Sequence, residues 1–487
     1  MGRVNWISLL TMVWMDPLMR RGAERTLQED DVWQLSPQDT AAKLHDRFRV
    51  HWMREEGSGD PSFARALWRT LRVQSCVATA ICGFYSALML VQPTVIKSLV
   101  EYLQAPEDLP PRTTLGISSG YALAGLLALS SFLAVTMSDF GQFLTSNLGV
   151  NAKSIVMDCV YLKSLKLSGH SRHDLSSGEI VTLAAVDSER VYQGYLGGPW
   201  VLVAPLTLLI MFVLVGIDMG IIVGLVGGTT TVAILYGGYV SSKAVGNLRR
   251  ETTTVQAERV KLTNEILHGI RVVKLYAWET YMEERIKTIR AKELALLRSY
   301  QYQRVLNTVV LSIAPVFSLA LCLAVYIAQG NELTTPLAFT ILAYMNVARI
   351  PYSNFSSSVM CASEAVASCA RVGKFMAAKE VATQAAIQAS DDGCVKVEFQ
   401  NAHFSWSHEG SCSTSITSTV PMTLKDITLT LVPKTLTIVV GPVGSGKSSL
   451  VSAILGEIHQ GGGTRTVAGR VAYANQEAWI QHATLQN

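Results

Sequence analysis

Charge is what this sequence has least of. Asp, Glu, Lys and Arg make up 16% of its 487 residues, where soluble chains average about 25%, so a chain solvated on every side is a poor reading. An excess of either sign is missing too. A net charge of +4 gives none of the basic footprint that nucleic-acid binding relies on, and no nucleic-acid partner is expected. Eight cysteines (Cys76, Cys82, Cys159, Cys322, Cys361, Cys369, Cys394, Cys412) are scattered without a C-x-x-C pair. No His cluster has zinc-ligand spacing, which argues against a zinc site and leaves buried free thiols. The opening "MGRVNWISLLTMVWMDPL" lacks the long apolar run and small-residue cleavage site of a signal peptide, and Asp16 follows at once. It reads as an amphipathic segment at a membrane surface. The length suggests two or more domains.

What the chain does have is uncharged runs. Cys76–Ile96, Leu115–Ser138, Val191–Ile217, Met219–Ser242 and Val305–Asn331 contain no Asp, Glu, Lys or Arg. A membrane-crossing helix needs about 20 such residues, and a charged residue at its centre costs roughly 2.5 to 3.5 kcal/mol on insertion scales. A sixth run, Leu333–Ala348, is short unless its helix continues through Arg349 toward Met360. The connections at Glu101–Thr114, Asp218 and Glu332 are short, with Arg112 their clear basic residue, whereas Asp139–Arg190 and Lys243–Arg304 are long and rich in Lys and Arg. The positive-inside rule places the long loops, the N-terminal arm and everything after the sixth span in the cytoplasm. Leu262, Ile266, Leu267, Ile270 and Val273 recur at helical spacing, and Glu283 with Lys287 forms an i,i+4 pair. The loops therefore read as helical hairpins reaching roughly 40 Å beyond the bilayer. Their breaks fall near "LSGHSRHDLSSGE" and "HGIRVVKLYAWE". Simple solvated hairpins and tips that contact a cytoplasmic domain both fit.

The expected layout is an N-terminal arm over 1–72, a membrane domain over 73–364, a linker over 365–393 and a cytoplasmic domain over 394–487. In the last, "CVKVEFQNAHFSW" and "LKDITLTL" alternate as strands do, and "TLTIVVG" reads as a short buried parallel strand. It leads into Gly441–Ser448, which fits G-x-x-x-x-G-K-[ST], and "SSLVSAILGEI" reads as the following helix. Phosphate oxygens require backbone N–H donors converging on a helix N-terminus. Gly441, Gly444 and Gly446 let the backbone approach, with Pro442, Val443 and Ser445 completing the loop. Lys447 would reach the β- and γ-phosphates, and the Ser448 hydroxyl would hold Mg²⁺.

Several longer stretches carry a family resemblance. "WMDPLMRRGAERTLQEDDVWQL", "LSSGEIVTLAAVDSERV", "NEILHGIRVVKLYAWE" and "GRVAYANQEAWIQHATLQN" together resemble the C subfamily of ABC transporters, the multidrug-resistance-associated proteins. "KLYAWE" and "AWIQ" carry this more specifically than the phosphate loop. The resemblance implies a multi-pass α-helical membrane domain of the six-helix ABC exporter type, followed by an incomplete α/β P-loop NTPase domain that binds ATP with Mg²⁺. It implies that Trp406 stacks on adenine, although a core aromatic closing a strand is the alternative. It also implies that Ser449 touches the α-phosphate and that Gln476 contacts Mg²⁺ and senses the γ-phosphate. Three features depart from the family pattern: Asn475 stands where proline usually precedes that glutamine, "VPKTL" lacks a turn glycine, and Ser407–Pro421 is long.

Arg349, in "NVARIPYSNF", either snorkels to lipid head groups or faces a translocation cavity where it would attract organic anions. The family places a signature loop, a Walker B aspartate, a catalytic glutamate and a switch histidine after the Q-loop. Those four parts do not follow Gln476 here, so the sequence reads as the N-terminal part of a longer transporter or a truncated gene model. It is expected to bind ATP without hydrolysing it. The leading function is ATP-driven export of small molecules, organic anions or conjugates among them, together with a second transmembrane and nucleotide-binding half. A nucleotide-gated channel or channel regulator, or a non-functional truncated product, are the alternatives. Either a plasma or a vacuolar membrane fits.

Overall fold

The computed structural model describes residues 8, 13–33, 35–37, 39–57, 59, 61–105, 113–167, 177–378, 380, 396–406, 423–432 and 435–474. They divide into two compact units, one within Met1–Asp158 and Ala185–Gly373, the other within Cys159–Ala184 and Lys374–Asn487.

The first unit is helical because its apolar runs leave the backbone no other partner. In hydrocarbon every N–H and C=O must be satisfied within the segment. After the short helices α1 (Asp16–Glu24) and α2 (Ala41–Glu56) come α3 (Phe63–Gln104) and α4 (Gly120–Lys166). A one-turn α5 (Ser177–Thr182), which like the end of α4 from Cys159 is counted with the second unit, and a π-turn, Leu183–Asp187, lead into α6 (Ser188–Met219). Then follow α7 (Ile221–His268), α8 (Ile270–Leu275), α9 (Glu279–Ala328) and α10 (Thr335–Met376). Among the described residues, five helical stretches are long and apolar enough to cross a membrane: α3, α4, Gly178–Met219, α7 and α9. α10 carries the sixth run and continues past Arg349 without a break. It also runs on through the first part of the segment that the sequence suggests as linker, where Ala365, Ala367 and Ala370 favour helix.

At 47 to 50 residues, α4, α7 and α9 are about 70 to 75 Å long. Each exceeds the hydrocarbon core by roughly 40 Å, as the long basic loops require. The second hairpin breaks where expected: α7 ends at His268, α8 forms a single turn, and α9 starts at Glu279. Arg259 Nε lies 2.8 Å and Arg290 Nη1 2.9 Å from the buried Glu293 carboxylate, clamping the two legs. The expected Glu283–Lys287 pair forms at 2.7 Å.

α6 and α7 reverse direction across Gly220 alone, at φ 105°. They approach so closely that a Cβ on Gly224 would lie 2.6 Å from Gly216 Cα. Small residues allow this spacing inside a membrane, where van der Waals packing holds helices together. The adjoining core is built from Phe212, Val215, Leu319, Cys322, Tyr344 and Tyr352. Hydroxyls cross-link it: Tyr352 Oη is 2.6 Å from Thr231 Oγ1 and 3.2 Å from Ser318 Oγ. Ser242 and Ser356 lie 2.6 Å apart, and Asn307 Nδ2 donates to both. Lys97 pairs with Asp218 at 2.6 Å, and Tyr344 donates to the other carboxylate oxygen. Of the six cysteines among the described residues, Cys82, Cys159, Cys322 and Cys369 are buried, Cys361 is half-buried and Cys76 is exposed. Cys76 is the exception because it lies on the outer side of α3, and that side needs only to be compatible with lipid.

In the second unit, β1 (Lys396–Ser405) is the centre of a three-stranded antiparallel sheet, flanked by β2 (Leu424–Leu431) and β3 (His459–Ala468). Irregular register around Asn401, at φ 45°, keeps Phe399 and then Ala402 and Phe404 on the buried face. α11 (Lys447–Leu455) covers that face through Ala453 and Leu450. One expectation fails. "TLTIVVG" is not a buried strand: residues 435–440 pair with no strand, Ile438 is 73% exposed and Val440 is 87% exposed. A buried parallel strand needs hydrogen-bonded neighbours. Among the described residues all strand pairs are antiparallel, and none borders this segment.

Candidate functional site

The glycine-rich loop, 441–446, is positioned by β2 on one side and α11 on the other. Gly444 and Gly446 adopt φ 85° and 90°, values that side chains resist, and Gly446 caps α11. This left-handed step turns the chain abruptly into the helix, so the first N–H groups of α11 point outward with no intrahelical acceptor. The first turn contains no acidic residue, and the positive end of the helix dipole is therefore uncompensated. Ser448 is exposed on that turn. Lys447 curls back over the loop, its Nζ donating to Gly441 O at 2.8 Å and Pro442 O at 2.7 Å. Ser445 N donates to Pro442 O at 3.3 Å, closing the loop, while Val443 at its tip is fully exposed.

Trp406 follows the end of β1 and meets α11. Its indole N–H donates to Ser449 Oγ at 3.2 Å, and the ring is 37% exposed. A ring that open does not close the core beneath β1, where Phe399 and Phe404 are fully buried. Trp406, the loop, Lys447, Ser448 and Ser449 are thus brought to one end of α11. Gln476 lies outside the described residues. A cavity of about 510 Å³ runs between β2 and the loop, lined by Asp426 and Thr428 on one wall and by Val439, Ser445 and Lys447 on the other.

The arrangement suits a polyphosphate. It offers free backbone donors, an ammonium, an exposed hydroxyl for a hydrated cation and a flat aromatic beside them. Arg349 is exposed on α10, which belongs to the other compact unit as far as Gly373. Sequence reasoning missed the ammonium's hold on the two loop carbonyls, since a motif records residue types and not their resting contacts. It also missed the buried Asp187 carboxylate, which accepts from Arg371 Nε at 3.0 Å, from Arg371 Nη2 and from Ser368 Oγ at 2.9 Å. The partners lie 184 residues apart in sequence, and the only local sign was an acid bordering an apolar run.

Comparison with known proteins agrees with this geometry. The family model for the ABC transporter transmembrane region matches residues 75–351, and the ABC transporter model matches residues 424–485. Over 99% of its length the chain is 29% identical to ABC transporter C family member 5 of Arabidopsis thaliana. Over the same share it is 28% identical to ATP-binding cassette sub-family C member 3 of Mus musculus and 31% identical to ABC transporter C family member 8 of Dictyostelium discoideum. The match covers 31%, 32% and 29% of those relatives, so the chain spans about a third of their length. The chain is an integral membrane protein that belongs to the ABC transporter family, in its C subfamily.

Proposed function

We propose that this chain binds ATP with Mg²⁺ and serves as one half, or part of one, of an ATP-driven exporter of small molecules. The observation that carries the reading is the phosphate loop before α11, on the same chain as a bundle of membrane-length helices. Backbone N–H groups from Gly446 to Ser449 receive phosphate oxygens, and Lys447 releases the Gly441 and Pro442 carbonyls to meet them. Ser448 holds the cation, and Trp406 offers its open face to the base. Bound ATP supplies the free energy of its terminal phosphoryl bond. The residues here account for binding it, while hydrolysis needs groups of the kind that follow the Q-loop in this family. The long basic hairpins support a cytoplasmic loop, on the side where ATP is found. α8, with Leu275 84% exposed and Tyr276 stacked on Trp278, is the tip through which a nucleotide domain of the partner half would move the bundle, a shift between states that ATP binds unequally.

Arg349, exposed on α10 in a largely uncharged stretch, supports an anionic cargo. Vesicle uptake of a glutathione conjugate by the full transporter, with and without ATP, tests export. Uptake that needs ATP is the expected result, and an ATP-independent current in its place would overturn it. Arg349→Leu is expected to weaken transport of anionic cargo more than neutral cargo, and equal losses would remove its assigned role.

A further inference from the structure

The turn between α6 and α7 hides its one charged residue. Asp218 is the only Asp, Glu, Lys or Arg from Val191 to Ser242, and Lys97 is the only one from Val73 to Val100. Each stands at the end of an uncharged run, where a long or exposed side chain could turn out to water. Instead the two face each other at 2.6 Å, with side chains 18% and 16% exposed. Tyr344 of α10, fully buried, donates to the second carboxylate oxygen at 3.3 Å. Three elements, α3, the α6–α7 turn and α10, thus meet on one carboxylate. Among the described residues this is the only ion pair at the end of the bundle that carries the short connections.

The other polar contacts near this end fall into two groups. Gln92 Nε2 donates to Ser131 Oγ at 3.3 Å, and Leu115 N donates to Ser98 Oγ at 3.2 Å, tying α3 to α4 and to the loop before it. Cys322 Sγ donates to Val223 O at 3.6 Å and Tyr352 Oη meets Thr231 Oγ1, tying α9 and α10 to α7. The Asp218 carboxylate bridges the groups. A buried ion pair is a poor choice for a permanent joint, because desolvating both charges offsets their attraction and well-packed apolar residues hold as well or better. What it does supply is release. Once the partners separate, water takes up both charges, whereas parted apolar surfaces are penalised by water.

We propose that Lys97, Asp218 and Tyr344 form a latch that closes this end of the bundle. It joins α3 and α4 to α7, α9 and α10, and it breaks when these two groups of helices part. The latch would serve the transport reading above, but its test needs neither ATP nor cargo.

A native reporter lies beside it. Cys322 is 1% exposed, six residues from the end of α9. The test treats the 487-residue chain in lipid nanodiscs with a charged methanethiosulfonate and follows each cysteine by peptide mass spectrometry. The labelling rate of Cys322 reads how often this end opens. Asp218→Asn strands the Lys97 ammonium and is expected to speed labelling about tenfold or more. Lys97→Met with Asp218→Leu replaces the pair by an apolar contact and is expected to slow labelling about fivefold below the native protein, which a folding defect cannot do. Lys97→Glu with Asp218→Lys reverses the pair and should return the rate close to native. Cys369, buried near the other end of α10, should label alike in all four proteins. The proposal is overturned if Asp218→Asn labels Cys322 at the native rate, or if the apolar or the reversed pair labels it as fast as Asp218→Asn does. It is overturned too if Cys369 gains as much as Cys322, which marks general loosening in place of a latch. Each of those results leaves the ATP reading of the phosphate loop intact.

Discussion

Removing Arg371 and removing Asp187 break the same ion pair, but the two changes should not cost the same. The Asp187 side chain is 2% exposed, whereas that of Arg371 is 47% exposed. Arg371→Ala leaves a carboxylate buried with Ser368 Oγ as its close donor, and with Arg190 only at 3.9 Å. Stranding a buried charge costs about 3 to 5 kcal/mol, and the surviving hydrogen bond places the expected loss near the lower end, about 3 kcal/mol. Asp187→Ala leaves a guanidinium that already reaches water and can rehydrate, so the loss is nearer that of a charged hydrogen bond, about 1.5 kcal/mol. The double variant should be more stable than Arg371→Ala alone, because the stranded charge has gone. The assay is reversible unfolding in mixed micelles by rising denaturant detergent, followed by tryptophan fluorescence, with the four proteins of the cycle compared. If Asp187→Ala were as damaging as Arg371→Ala, or the double variant the worst of the three, burial would not be what sets the energetics here.

Other outcomes follow from the same reasoning. Gly224→Val must push its side chain into Gly216 Cα and Phe212 O, 2.6 and 2.8 Å from the new Cβ. It should cost about 3 kcal/mol or more in the same unfolding assay, with Gly237→Ala, which meets open space, as the mild control. Hydrogen bonds from Arg290 and then Arg259 hold the Glu293 carboxyl below its ordinary 4.5. Stability from this clamp is therefore fully present above about pH 4.5 and is lost as pH falls through the lower folded value. Protease resistance of the α7–α9 hairpin should drop in that acid range, and Glu293→Gln should abolish the pH dependence.

Much of the helical unit was legible because one physical rule governs it. Hydrocarbon admits only long uncharged helices, and Val191–Ile217 or Val305–Asn331 can be little else. Gly269 and the turn Tyr276–Trp278 marked the hairpin break through local chemistry alone. The phosphate loop was legible for a similar reason, since its glycines serve backbone conformation within six residues. What failed was whatever depended on distant partners. β3 escaped notice because Gly461, Gly462 and Gly463 interrupt any alternating pattern, and its ladder is supplied by the backbone of β1. "TLTIVVG" has the composition of a buried strand, but composition does not provide the neighbours that burial requires. The buried ion pair joins Lys97 to Asp218, 121 residues away, and no local pattern connects them.

The central claim is that a membrane helix bundle and a pocket for the phosphates of ATP share one chain. Equilibrium binding of a fluorescent ATP analogue with Mg²⁺ to the reconstituted protein, wild type against Lys447→Ala, tests it most directly. Loss of a charge-assisted contact worth about 1.5 to 3 kcal/mol predicts affinity lower by roughly 10- to 150-fold, with the helical unit still folded. Equal affinity in the two proteins would contradict the account.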